Sequence, residues 1–245
     1  MDSCADPLNT AVCRASRNGL NMEDKLIAGE GMAERIRVDL QLIASLIKPG
    51  SRVLDVGCGD GSLLRHLVER RDVDGRGLEI SRAGVQSCLR QGLSVVQGDA
   101  EADLGNYPSG AFDYVVLSET IQAMHHPLAV LRELVRIGRF ALVSFPNFGH
   151  WNCRIQLLFK GRMPVTKSLP LSWHATPNIH FSTISDFVRT CHEEEIQVVR
   201  RYSLNQSGQR AGFFGAQPFD NLFGAQGVFL LSVAGVEAEE VVDSW

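Results

Sequence analysis

Short apolar segments alternate with segments of helical periodicity along most of the chain, and this alternation constrains the fold more than any other feature. Strands are predicted at residues 52–56, 75–80, 93–97, 114–117 and 140–145, and helices at 34–48, 61–70, 82–90 and 128–136. Strands that alternate with helices in this way form a parallel sheet covered by helices on both faces. The sequence therefore predicts a Rossmann-like α/β fold with a mostly parallel sheet.

The C-terminal part of the chain departs from this alternation. A helix is predicted at 182–194, with Ser182 as its N-terminal cap, and it is followed by strands at 195–202 and 227–234. No crossover helix is recognisable between these two strands, so we expect them to pair antiparallel. Residues 147–180 are irregular apart from a short amphipathic helix at 152–159. Three interpretations of them stay open: a lid over a pocket, a partner surface, or core packing.

Length, charge and cysteine spacing limit the class of protein. The 245 residues suffice for one large domain, expected at 34–245 after a partly disordered N-terminal extension at 1–33. The net charge of -4 argues against a nucleic-acid partner, because phosphate neutralisation requires excess Lys and Arg. No apolar run approaches the roughly 20 residues that cross a bilayer, and no apolar signal core opens the chain. We therefore expect a cytoplasmic protein without membrane contact. The six cysteines form no CxxC pair, so no metal is expected.

The most informative motif is Val53-Leu54-Asp55-Val56-Gly57-Cys58-Gly59-Asp60-Gly61, at the junction of the first strand and the next helix. Glycines at 57, 59 and 61 permit a tight turn that a ligand can approach closely. We expect the following helix to present free N–H groups and its positive dipole end to the same crevice. A structural turn without a ligand would also explain three glycines, so the surrounding residues decide.

Acidic residues stand at the ends of three successive strands. Asp55 lies near the end of the first strand, Glu79 ends the second, and Asp99 follows the third. The carboxyl ends of parallel strands share one edge of the sheet, so we expect these acids to converge on the glycine turn. Glu79 is placed to accept the hydroxyls of a ribose, and Asp99 to accept from an adenine amino group or to fix the loop that does.

Two nucleoside cofactors fit such a crevice, a nicotinamide dinucleotide and S-adenosylmethionine. The dinucleotide fingerprint is GxGxxG, whereas this chain has GxGxG followed by Ser62. An acid before the first glycine lies poorly beside a pyrophosphate, but it suits a sulfonium cation and an amino-acid ammonium. The pattern therefore favours S-adenosylmethionine.

These motifs resemble those of the class I S-adenosylmethionine-dependent methyltransferases, and the chain further resembles one family, the methionine biosynthesis protein MetW. The second resemblance rests on LSETIQA at 117–123, SFPNFGHW at 144–151, KGRMPVT at 160–166 and TPNIH at 176–180. The first resemblance implies a seven-stranded sheet of order 3-2-1-4-5-7-6. The second implies a role in methionine biosynthesis beside a homoserine O-acyltransferase.

The expected cofactor is S-adenosyl-L-methionine or S-adenosyl-L-homocysteine. The residues expected to hold it are Asp55, Gly57, Cys58, Gly59, Gly61, Glu79, Ile80, Asp99, Ala100 and Ser118.

Whether the chain transfers a methyl group is open at this stage, and no catalytic residue is assigned. Candidate acceptor-site residues are Glu119, Gln122, His125 and His126 after the fourth strand, and Asn147 and His150 after the fifth. Several of these are equally explained as loop-holding residues, and no clear base with an orienting partner is evident. The alternatives are an active methyltransferase of a small-molecule acceptor and a non-catalytic partner protein that binds S-adenosylmethionine.

Overall fold

Seven strands form a single sheet in a computed structural model that describes residues 37–211 and 217–233. The strands are β1 (Arg52–Val56), β2 (Asp74–Glu79), β3 (Ser94–Gln97), β4 (Phe112–Ser118), β5 (Gly138–Pro146), β6 (Ile196–Leu204) and β7 (Gln226–Val233). Their order in the sheet is β3-β2-β1-β4-β5-β7-β6. The first five strands are parallel, whereas β7 runs antiparallel to both β5 and β6. The predicted fold class, strand order and antiparallel tail are therefore confirmed.

Eight α-helices accompany the sheet in the described residues. They are α1 (Val38–Leu46), α2 (Ser62–Arg71), α3 (Arg82–Arg90), α4 (Ala100–Asp103), α5 (Pro127–Ile137), α6 (Trp151–Lys160), α7 (Ile184–Glu193) and α8 (Gln217–Phe223). The predicted extension at 1–33 and the first three residues of the predicted helix 34–48 lie outside the described residues. The short α8, between β6 and β7, was not predicted.

One helix begins later than the sequence suggests. The predicted cap Ser182 is wrong, because Thr183 caps α7. The Thr183 hydroxyl accepts from Asp186 N, and the Asp186 carboxylate accepts from Thr183 N, which forms a capping box. Ser182 is engaged elsewhere, since its hydroxyl accepts a hydrogen bond from Gln122.

The two faces of the sheet form separate apolar layers. Alternate side chains of β4 enter opposite layers, with Val115 and Leu117 on one face and Tyr114 and Val116 on the other. Helices α5 and α7 cover the first face, and α1 and α2 cover the second. This burial on both faces explains why β4 is continuously apolar.

The parallel register brings the carboxyl ends of the central strands to one edge. Val56 of β1 lies between Leu78 of β2 and Leu117 of β4, and Ser118 pairs with Ser144 of β5. Ligands of open α/β sheets bind at this edge. No helix in residues 37–211 and 217–233 is long and apolar enough to cross a membrane.

Candidate functional site

The glycine turn connects β1 to α2 through three left-handed backbone positions. Gly57, Gly59 and Gly61 have φ angles of 71°, 57° and 83°, which side chains with a Cβ adopt with strain. A Cβ on Gly61 would lie 2.8 Å from Cys88 Sγ, whereas a Cβ on Gly59 would meet no atom within 4 Å. Gly61 is therefore required by packing, while Gly59 faces open space at the sheet edge.

The N–H groups of this turn are already bonded within the protein. Gly57 N donates to Leu78 O at 2.7 Å, and Gly59 N donates to the Glu79 carboxylate at 2.8 Å. Gly61 N donates back into the turn at 2.9 Å. These three N–H groups are therefore not available to a ligand, and the expected free N–H groups of the following helix stay a prediction. The turn is a poor cradle for a pyrophosphate, which needs such donors.

Two buried carboxyl groups stand near the ends of β1 and β2, next to the turn in sequence or by hydrogen bond. Asp55 and Glu79 are 3% and 7% exposed. Burial, and then the negative charge of Glu79, raise the pKa of Asp55 to about 7. Glu79 accepts hydrogen bonds from Gly59 N and Ser81 N, both at 2.8 Å. Within the described residues no group donates a hydrogen bond to the Asp55 carboxyl, and the charge of Arg37 lowers its pKa without cancelling the effect of burial.

The other predicted cofactor residues that follow β2 and β3 are more exposed than Asp55 and Glu79. Ile80 follows β2 and is 65% exposed. Asp99, two residues beyond β3, is exposed and caps α4 by accepting from Glu101 N at 2.9 Å. Ala100 is half-buried at the start of α4. Asp99 is thus a surface group, in contrast to the buried Asp55 and Glu79.

The side chain of Cys58 faces away from the open edge. Its Sγ atom lies 3.8 Å from Cys88 Sγ, in a small buried cluster with Leu64 and Leu93. Burial raises the pKa of the Cys58 thiol, so the thiol is held neutral. Only the backbone of Cys58 is left to meet a ligand.

A polar cluster beyond β4 joins α1 to the sheet edge. Arg37 contacts Glu119 at 2.7 Å and the buried Asp39 at 2.8 Å. The same guanidinium donates to Ser118 Oγ at 3.0 Å, and that hydroxyl lies 3.0 Å from Ser144 Oγ. Sequence reasoning missed Arg37 and Asp39, because the apolar periodicity of the first helix was the only signal considered there.

Glu119 occupies a strained position in this cluster. Its φ angle of 55° is left-handed, which is uncommon for a residue other than glycine. Gln226 Nε2 donates to its carboxylate at 2.9 Å, opposite the contact from Arg37. Burial raises the pKa of the Glu119 carboxyl above its usual value, and Arg37 opposes that shift.

A cavity of about 180 Å³ opens beside Glu119. The segment that follows β5 forms most of its wall, and the apolar lining includes Pro146, Phe148, Met163, Leu171, Trp173 and Phe181. Phe148 and Phe181 pack against each other with ring centroids 4.8 Å apart. We call this space the Glu119 cavity. Part of the irregular segment therefore lines a pocket, and its three predicted interpretations stay open.

Comparison with known proteins assigns the chain to a family. The sequence model of the family described as "Methionine biosynthesis protein MetW" matches residues 37–231. The chain belongs to this family. A bifunctional methionine biosynthesis protein MetXA/MetW of Rhodopirellula baltica is 34% identical over 160 residues, which are 62% of this chain and 26% of that protein.

Other relatives are methyltransferases. The ubiquinone biosynthesis O-methyltransferase of Ralstonia nicotianae is 28% identical over 156 residues, or 61% of this chain and 65% of that protein. The ajmaline N-methyltransferase of Rauvolfia serpentina is 34% identical over 99 residues, or 37% of this chain and 33% of that enzyme. The chain thus spans between about a quarter and two thirds of the length of these curated relatives.

Solved structures share the fold. An S-adenosylmethionine-dependent methyltransferase of Archaeoglobus fulgidus superposes with a TM-score of 0.56 at 15% identity, covering 78% of this chain and 90% of that one. A methyltransferase of Mesorhizobium loti gives 0.56 at 14% identity, with 78% and 95% covered. At these identities the likeness establishes the methyltransferase-like fold of this MetW-family chain.

Three candidate acceptor residues of the MetW-family chain hold its loops together. Gln122 is 2% exposed, and its side-chain amide donates to Pro146 O and Ser182 Oγ, both at 3.0 Å. The backbone carbonyl oxygen of Gln122 accepts from the N–H groups of Ile179 and His180. Gln122 therefore holds the end of the cavity wall against β5. This role is structural, and Gln122 does not act as a base.

Asn147 and His150 are structural in the same sense. Asn147 Nδ2 donates to the carbonyl oxygens of Asn221 and Gly224, and its Oδ1 accepts from Gly149 N and Ile184 N. Three of these contacts join the end of β5 to α7 and α8, and the one from Gly149 N holds the loop before α6. His150 caps α6, with its Nδ1 accepting from Asn152 N at 3.3 Å, and burial lowers the pKa of its imidazole.

The remaining histidine candidates lie on the surface. His125 and His126 are exposed, and their backbone N–H groups donate to the Glu101 carboxylate. Of the six candidate acceptor-site residues, Glu119 is the one that lines the Glu119 cavity.

Proposed function

We propose that this chain is an S-adenosylmethionine-binding, methyltransferase-like protein of methionine biosynthesis that acts with a homoserine O-acyltransferase. One observation carries the cofactor part. Gly59, whose Cβ position is open, donates its N–H to the buried Glu79, and the charge of Glu79 acts on a second buried carboxyl group, Asp55, at the ligand-binding edge of the sheet. A location in the cytoplasm belongs to the same proposal.

Charge favours S-adenosylmethionine over a dinucleotide in this crevice. The turn N–H groups of Gly57, Gly59 and Gly61 are bonded within the protein, so a pyrophosphate would find few donors there. The buried carboxyl group of Asp55 would instead stabilise a sulfonium or ammonium group, since opposite charges attract strongly where water is excluded.

The proposed cofactor contacts follow from the positions of the side chains. Glu79 would accept from the ribose hydroxyls, Ile80 would pack on the adenine ring, and Asp99 with Ala100 would meet its far edge. Ser118 would border the methionine end. The full proposed set is Asp55, Gly57, Cys58, Gly59, Gly61, Glu79, Ile80, Asp99, Ala100 and Ser118. Bound S-adenosylmethionine would supply a methyl group on its sulfonium, whereas S-adenosylhomocysteine would supply none.

Replacement of the ribose acid tests this assignment. Glu79→Ala should weaken S-adenosylmethionine binding by about 1.5–3 kcal/mol, as expected for lost charge-assisted hydrogen bonds. Isothermal titration measures the effect. Asp113→Ala is the matched control, because Asp113 also accepts from a backbone N–H, that of Arg52. It lies at the start of β4, at the edge of the sheet opposite the glycine turn. Unchanged affinity in folded Glu79→Ala would refute the assignment.

The partner part of the proposal rests on a fused relative and on an exposed apolar face. The Rhodopirellula baltica relative is named a bifunctional protein that combines MetXA and MetW. In the present chain, Trp151, Ile155, Leu158 and Phe159 lie on one side of α6 and are 43%, 43%, 77% and 77% exposed. Exposed apolar patches of this kind mark protein contacts. We call these four side chains of α6 the α6 face.

A second candidate function is catalytic transfer of the methyl group to a small-molecule acceptor. The Glu119 cavity favours it, because a pocket for a second ligand stands next to the proposed cofactor crevice. The test is release of S-adenosylhomocysteine from S-adenosylmethionine by the purified chain with a defined acceptor. Steady release that depends on the acceptor would establish an enzyme, whereas its absence with binding intact favours the partner role.

A further inference from the structure

Glu119 gives the Glu119 cavity a defined charge. It is the sole ionisable residue that lines the cavity in the described part of the chain, and the rest of the wall is apolar or uncharged. An anionic ligand would find no lysine, arginine or histidine among these lining residues. Aromatic rings such as those of Phe148, Trp173 and Phe181 attract cations over their faces.

The groups around Glu119 leave a surplus of negative charge. Arg37 is shared between two carboxylates, those of Asp39 and Glu119. Gln226, on the other side, is neutral. Each carboxylate oxygen has more than one acceptor position, so Glu119 can accept further hydrogen bonds while these contacts persist.

The backbone holds Glu119 between the cavity and the glycine turn. Glu119 N donates to Ser144 O at 2.8 Å, which fixes the left-handed residue to β5. The next residue, Thr120, approaches the glycine turn so closely that a Cβ on Gly57 would lie 3.0 Å from its hydroxyl. The cavity and the proposed cofactor crevice therefore meet at residues 119 and 120.

We propose that the Glu119 cavity binds a small amine in its protonated form, with the ammonium group on the Glu119 carboxylate. The apolar part of the ligand lies among Phe148, Trp173 and Phe181. The volume of about 180 Å³ is below the roughly 300 Å³ at which sites for drug-sized ligands begin, so the ligand is small. This proposal rests on the proposed function in one respect: the amine lies beside bound S-adenosylmethionine.

Three aromatic probes of similar size and different charge test the charge preference. Benzylamine, benzyl alcohol and benzoate are titrated in turn into the full chain, with and without S-adenosylhomocysteine, and binding is followed by the NMR signal of the Trp173 indole. Benzylamine should bind at least about tenfold more tightly than benzyl alcohol, as expected for a charge-assisted contact. Benzoate should not bind.

Substitutions then connect the preference to Glu119. Glu119→Gln should abolish the difference between amine and alcohol while benzyl alcohol still binds. Glu193→Gln is the matched control on the exposed end of α7, and it should keep the preference. If Glu119→Gln does not fold, wild-type protein titrated across the pH range in which benzylamine loses its proton gives the same answer, since the affinity should fall as the proton is lost.

The possible outcomes separate this proposal from the proposed function. Equal affinity for amine and alcohol, preference for benzoate, or no binding at millimolar concentration would overturn the amine site. Failure of S-adenosylhomocysteine to bind would overturn the proposed cofactor instead, and the titrations without it would still decide the amine site.

Discussion

Asp55 is a carboxyl group buried beside a second carboxyl group, so its ionisation opposes folding. Its pKa is about 7 in the folded chain and near 3.8 when exposed. Between these values the folded state keeps a proton that the unfolded state has lost. Stability from this group is therefore greatest at low pH and is lost as the pH rises toward 7.

The first prediction follows from this shift. Without cofactor, the Asp55 contribution should lower the free energy of unfolding by about 1.4 kcal/mol per pH unit between about pH 4 and pH 7. Asp55→Asn should lack this slope, so its free energy of unfolding should increase relative to that of the wild type as the pH rises. Denaturant unfolding at pH 5, 6 and 7 measures it. Asp74→Asn, at an exposed carboxylate, should keep the wild-type slope; an unchanged slope in Asp55→Asn would contradict the account.

The second prediction concerns Gly59. Gly59→Val should abolish S-adenosylmethionine binding, because the new side chain would occupy the space that the ligand needs. The left-handed φ should add a stability cost of about 1–2 kcal/mol. Gly110→Val is matched to it, since Gly110 has a φ of 66° and open space around its Cβ but lies before β4, at the other end of the sheet. Normal binding by folded Gly59→Val would make the loop a structural turn only.

At the residue scale, the sequence predicts contacts that follow from strand ends and misses those made by distant segments. Asp55 and Glu79 approach each other because adjacent parallel strands end together. Arg37 and Glu119 are 82 positions apart, and no local pattern links them. The hydrogen bonds of Gly57 N and Gly59 N were also not predictable from local sequence, because their acceptors lie on the neighbouring strand β2.

At the scale of elements, one side chain ties three of them together. Asn147 closes the end of β5 with four hydrogen bonds to backbone groups near α6, α7 and α8. We predict that Asn147→Ala lowers the free energy of unfolding by about 2–4 kcal/mol, because buried backbone groups lose their partners.

Denaturant titration measures this loss, and Asn152→Ala is the control, since Asn152 on α6 bonds one side chain, that of Gln156. S-Adenosylmethionine affinity per folded molecule should stay unchanged in Asn147→Ala. A fully stable Asn147→Ala with altered ligand binding would contradict the structural role and restore Asn147 as an acceptor-site residue.

Helix and strand positions were largely predictable, because hydrophobic periodicity and β-rich runs are local signals. The α7 cap was misplaced by one residue because Ser182 and Thr183 are both good caps, and the choice depends on Gln122, which binds the Ser182 hydroxyl. Residues 161–183 form no helix or strand. Their path is set by tertiary contacts such as those from Gln122, so no sequence period reveals it.

At the scale of the whole molecule, the α6 face is the proposed contact with the acyltransferase. Leu158→Ala with Phe159→Ala should weaken binding to a homoserine O-acyltransferase from the same source by more than about 2 kcal/mol, as for interface anchors. Cofactor affinity should be unchanged. Trp173 is as well exposed as these residues, but it also lines the Glu119 cavity. We therefore replace Leu158, which does not line the cavity, together with Phe159.

The control for this double substitution lies at the far edge of the sheet. Leu89 and Val96 are also exposed, at 58% and 60%, and belong to α3 and β3. Leu89→Ala with Val96→Ala should leave acyltransferase binding intact, as measured by biolayer interferometry. Equal binding by all three proteins would place the contact elsewhere, and loss of the fold in the α6 double variant would make these residues structural.

The central claim is that the crevice at the glycine turn accepts S-adenosylmethionine and rejects a dinucleotide. Isothermal titration of S-adenosylmethionine, and separately of NAD, into the purified chain tests it most directly. We predict saturable binding of S-adenosylmethionine at one site and no measurable binding of NAD. Binding of NAD in preference to S-adenosylmethionine, or no binding of S-adenosylmethionine, would contradict the account.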